Sequence, residues 1–211
     1  MTASQLAYFL LSNKVVSAEG GEDLITQIKE EALGNPAHFS VFQDFVYLSP
    51  WSSAEKVVIQ YVFAVMGKVN SALQQMNLSQ TLALSLLLFK RLSDIERGQQ
   101  VTGPVLPEQF KFNSIVQDTT SEELPERVLE VMNYIEATGV HFAEVFSVAR
   151  EELTTISDQG LARKFKETML LLAGLKLDEE HVATPLFQAI FSRLLWINVK
   201  VAFKEAGGEG N

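Results

Sequence analysis

What most constrains this chain is a regular succession of helix-start and helix-stop residues, with apolar residues three and four apart between them. That spacing puts side chains on one face of an α-helix, whereas a strand exposes alternate residues to opposite faces. Leu24, Ile25, Ile28 and Leu33 lead up to Gly34. Asn35-Pro36 then reads as an N-cap and a first-turn proline, opening a helix with Phe39, Phe42, Phe45 and Val46 on one side and ending at Ser49-Pro50. Ser52 and Glu55 have capping-box spacing and start a long helix through Tyr61, Val65, Val69 and Leu73. Ser79 caps the next helix, expected to end near Gly98. Its run from Leu82 to Phe89 is apolar on nearly every side, so it belongs at the centre of the fold.

The second half is punctuated in the same way. Pro125 sits in a first turn, and Val128, Leu129, Met132 and Ile135 form a face that stops at Gly139. Phe142, Val145, Phe146 and Ala149 mark a helix expected over 140–153. Asp158 caps another, with Leu161, Phe165, Met169 and Leu172 inward before Gly174. Thr184-Pro185 starts the last long helix, which carries Phe187, Ile190, Phe191, Leu194 and Leu195 toward Phe203. No segment alternates with period two for long enough to demand a strand. The expected fold class is therefore all-α, with about eight or nine helices. Central burial is expected for Leu84, Leu87, Leu88, Ile190, Phe191 and Leu194.

Three sequence matches recur at nearly one spacing. Glu22 and Glu126 open helices that end at Gly34 and Gly139, His38-Phe39 and His141-Phe142 follow those glycines, and Phe89-Lys90-Arg91-Leu92 resembles Phe191-Ser192-Arg193-Leu194. The pairs lie 104, 103 and 102 residues apart. The reading is an internal duplication: a helical unit at 1–98, a connecting loop at 99–120 and a second unit at 121–211, free to form one compact domain.

The connecting loop is the odd segment. Gly103-Pro104 and Pro107 break its periodicity, yet it holds Val101, Val105, Leu106, Phe110, Phe112 and Ile115. A passive linker needs only small and polar residues, and exposed apolar surface costs about 25 cal/mol per Å². The segment is expected to cover the protein's own core, a ligand or a partner. Trp51, Phe110, Phe112 and Ile115 are the candidate interaction surface.

Composition narrows the function classes. A formal charge of −9 disfavours nucleic acid and anionic membranes, whose binding rests on neutralising phosphates. Residues 1–98 hold 7 basic and 9 acidic groups against 10 and 17 in the remainder, so acidity concentrates toward the C-terminus. No cysteine is present, which removes disulfides, thiol nucleophiles and thiolate metal sites. Pro185 to Phe203 is strongly apolar, but Gln188, Arg193, Asn198 and Lys200 mark a core helix rather than a membrane span. The run Ala7 to Leu11 is too short for a signal peptide, so a cytoplasmic location is expected.

Few residues are arranged for chemistry. His38 and His141 occupy matched positions and form a candidate ligand pair; the simpler reading bonds each imidazole to its own helix start. Asp178 and His181 have carboxylate-x-x-His spacing, but the second such pair and the further carboxylates of a di-iron bundle are missing. Adjacent acids such as Glu151-Glu152 point apart on a helix and cannot converge as a dyad. With no phosphate loop and no nucleophile elbow, no enzyme and no cofactor are expected. The function expected is protein–protein interaction, with a protein partner or a homo-oligomer. The alternative is a helical carrier that takes a lipid, pigment or other apolar molecule between its helices, drawing on the 14 phenylalanines.

Overall fold

The computed structural model describes residues 51–95, 104–139, 142 and 144–205, except for the side chains of 196 and 198–205. Every regular element among them is helical. Seven α-helices run α1 (Ser53–Gln74), α2 (Gln80–Asp94), α3 (Phe112–Asp118), α4 (Leu124–Thr138), α5 (Ser147–Thr154), α6 (Gln159–Ala173) and α7 (Thr184–Glu205), with one 3-10 turn (Glu108–Phe110) before α3. No described residue belongs to a strand, and no helix among the described residues is long and apolar enough to cross a membrane. The helices expected over 22–33 and 36–48 lie outside the described residues.

Contacts divide the chain into two units, Met1–Gly67 and Lys68–Asn211, with the division inside α1. In the first unit, the capping box forms as the spacing required. The Ser52 N–H and hydroxyl donate to Glu55 Oε2 at 2.8 and 2.6 Å, and the Glu55 N–H donates back to Ser52 Oγ at 3.3 Å. These bonds hold the Glu55 carboxyl below its ordinary pKa.

In the second unit, α1 ends in a Schellman motif. Asn77 takes a left-handed φ of 59°, the Leu78 N–H donates to Leu73 O at 2.9 Å, and the Asn77 N–H donates to Gln74 O at 3.0 Å. Asparagine tolerates this conformation, and buried Leu73 and Leu78 occupy the two positions whose side chains close the motif. Ser79 then caps α2 through the N–H groups of Thr81 and Leu82, while the Glu152 carboxylate of α5 accepts the Ser79 N–H at 3.1 Å.

Helix α2 packs against α3, α5, α6 and α7, the central place that its all-round apolar sequence called for. Leu82, Leu86, Leu87 and Phe89 are wholly buried; each such burial contributes about 1.5–3 kcal/mol. Around this axis, α3 also packs on α4 and α6, and α4 on α5 and α6. Pro125 stands in the first turn of α4 and Asp158 caps α6 by accepting the Leu161 N–H. Gly139 closes α4 for want of space: an added Cβ would lie 2.7 Å from Phe142 and 3.2 Å from Pro104. Its φ of −98° requires no glycine.

Several expectations need correction. Helix α2 stops at Asp94, four residues short of Gly98. The helix expected over 140–153 begins only at Ser147, because Glu144 turns left-handed (φ 62°) and Glu136 Oε1 takes the Phe146 N–H at 2.8 Å. The 99–120 segment is no plain loop, since it holds the 3-10 turn and all of α3. Leu84, Leu87, Ile190 and Leu194 are buried as expected, but Leu88 and Phe191 are only half-buried. The described part of α7 buries one stripe, Leu186, Phe187, Ile190 and Leu194, and leaves Leu195 exposed, so it lines the core from one side.

Candidate interaction surface and buried polar cluster

The 99–120 segment divides its apolar residues between two tasks. Phe112 and Ile115, on α3, are almost entirely enclosed, and the Phe112 ring lies 5.0 Å from that of Phe89 on α2. Ser93 Oγ accepts the Phe112 N–H at 2.7 Å, which fixes the start of α3 on the end of α2. These two residues clad the protein's own core. Leu106 is buried as well, whereas Val105 is exposed.

Phe110 is different. It ends the 3-10 turn half-buried, with its ring edge-on to Tyr134 at 5.1 Å and the Arg127 guanidinium 5.1 Å above it. Arg127 and Tyr134 stand seven residues apart on α4, hence on one face. Arg127 also pairs with Glu130. The result is a layer of Phe, Arg and Tyr, all partly accessible, on the outside of the α4–3-10 junction. Aromatic and arginine side chains that keep such exposure are those enriched at protein interfaces.

Trp51 lies in the first unit, at the start of α1, where its indole N–H is buried with no partner among the described residues. His38 and His141 lie outside the described residues, as does Val101. Phe89, Phe112, Phe146 and Phe165 are all wholly enclosed in the core.

Sequence reasoning missed a buried polar cluster at the C-terminal end of α2. Lys90 and Arg91 entered only as part of the repeat match, yet both are almost completely buried. Arg91 donates to the carbonyls of Leu177 and Val182, to Glu179 and to Thr184 Oγ1, and stacks 5.1 Å from the Phe187 ring. Lys90 reaches Asp94 at 2.6 Å, and Asp94 accepts the Leu177 N–H at 2.9 Å. Two helix residues thereby bind both ends of the α6–α7 connection. The available signal was two cations in an otherwise apolar run with an acid four residues on. Burial raises the pKa of the Glu179 carboxyl, but hydrogen bonds from Thr184 and the Arg91 charge outweigh it and hold the group below its ordinary value.

Asp178, Glu180 and His181 bring donor atoms within 4.8 Å of one another in this connection and are the described residues best placed to hold a metal ion. Asp178 Oδ1 is already engaged: it accepts the N–H groups of Glu180 and His181 at 3.0 Å and lies 2.8 Å from His181 Nδ1. The geometry thus defines an all-α protein whose charged interior serves the fold and whose accessible aromatic layer faces outward. Comparison with protein-family models, with curated proteins and with solved structures found no match.

Proposed function

We propose that this chain is a non-enzymatic interaction protein that binds a protein partner or another copy of itself through the surface centred on Phe110. The observation that carries the reading is the Phe110–Arg127–Tyr134 layer, which keeps two aromatic rings and a guanidinium partly in water. The two rings, each with only two side-chain torsions, add contact area at little entropic cost when a partner arrives. The reading includes an internal duplication, supported by the packing of α2 on α7, the helices that carry the third sequence match. It also assigns the cytoplasm, which subcellular fractionation tests.

Two measurements on wild type and a Phe110→Ser variant test the surface. Native affinity purification and light scattering read partner recovery and assembly, and chemical denaturation reads stability. The expected outcome is lost association with a stability change below about 1 kcal/mol, as a half-exposed site allows. Loss of stability with unchanged association rejects the role and leaves Phe110 as cladding for α4.

A further inference from the structure

Two exposed helix faces in the second unit carry opposite charge beside bare apolar residues. On α6, Arg163, Glu167, Leu170 and Leu171 recur at helical spacing on the outward side, with Lys164 flanking them. Leu170 is 51% and Leu171 38% exposed, two adjacent leucines open to water. Arg163 and Lys164 make no ion pair with any described residue. Glu167 is the one acid of this helix, against these two cations, and Glu122, which is bonded to Gln159, feels Arg163 only as a lesser influence. This face is basic in a chain whose charge is −9.

The second face lies at the start of α5. Val145 and Val148 are 45% and 44% exposed, with exposed Glu144 and Glu151 beside them. The one cation of α5, Arg150, is turned toward Glu136 and Asn133. Glu144 stands at a left-handed φ of 62°, a conformation that favours glycine or asparagine, and still carries a carboxylate outward. Both faces are exposed within one chain, so they do not cover each other.

We propose that these faces dock copy to copy: the basic leucine face of α6 on one molecule meets the acidic valine face of α5 on another. The occupant is a second copy because the same chain supplies both the apolar residues and the matching opposite charge. Unlike faces make a head-to-tail contact, which propagates to a ring or a filament. The contact goes beyond the Phe110 reading: it concerns association of this chain with itself and uses residues distinct from Phe110.

Multi-angle light scattering over a concentration series at low and high salt tests this on the 211-residue chain. Wild type is expected to gain mass with concentration and lose it at high salt, since charge pairing across the contact is screened. Glu144→Lys with Glu151→Lys, or Arg163→Glu with Lys164→Glu, should each weaken association at least tenfold. The chain carrying all four substitutions should regain it. Circular dichroism monitors folding, and Val148→Ser and Leu170→Ser replace any charge variant that does not fold. A monomer at every concentration overturns the proposal, as does assembly that survives both reversals. Loss of assembly with Phe110→Ser alone overturns this contact and leaves the Phe110 reading standing.

Discussion

Arg91 shows at the residue scale how a charge can be kept inside a small helical fold. Its guanidinium is taken out of water and recovers that cost from two carbonyls, Glu179, Thr184 and the Phe187 ring. Arg91→Ala leaves those acceptors without their donor and should cost about 3–5 kcal/mol in chemical denaturation. Arg91→Lys should recover only part of this, because an ammonium lacks the planar fork that reaches several acceptors. The Glu179 carboxyl has a folded-state pKa below its unfolded one. Its stabilisation is therefore fully present above the ordinary glutamate pKa of about 4.3 and is lost as pH falls toward the depressed value. Urea titrations across that window should show a flatter acid limb for Glu179→Gln than for wild type.

At the element scale, caps and burial make separable contributions to α2. Ser79 accepts two N–H groups at its start, so Ser79→Ala should cost about 1 kcal/mol by denaturant midpoint. Leu87→Ala should cost about 2–5 kcal/mol by the same measure, and Leu88→Ala clearly less, since Leu87 is wholly buried and Leu88 half-buried. Equal costs would mean that the two leucines share one environment. The sequence showed that this helix has no wet face. It did not show that Lys90 and Arg91 would follow the leucines inward, because the partners of Arg91 lie more than eighty residues away and the Asp94 that pairs with Lys90 is itself held by the distant Leu177 N–H.

For the whole molecule, copy-to-copy docking has a thermodynamic signature. A partner that binds only the folded chain raises its apparent stability, by about 2.7 kcal/mol when present at a hundred times its dissociation constant. The melting temperature should therefore rise with protein concentration for wild type and stay constant for the Glu144→Lys, Glu151→Lys variant. Differential scanning calorimetry at three concentrations checks this, and a flat profile for both would leave α5 and α6 as plain solvent faces.

What the sequence determined by itself was local. Capping geometry depends on residues two to four apart, so Ser52–Glu55, Ser79, Pro125 and Asp158 could be read from the chain alone. Helical periodicity likewise marked the buried stripes of α2, α4 and α6. The tertiary structure decided what depends on distant neighbours. It enclosed Phe112 and Ile115 while leaving Phe110 accessible, though all three sit within six residues and share apolar character. It delayed the start of α5 through Glu136, ten residues before Phe146. It also brought Arg91 to the α6–α7 connection. Local spacing fixes which face of a helix is apolar, but only packing fixes what that face meets.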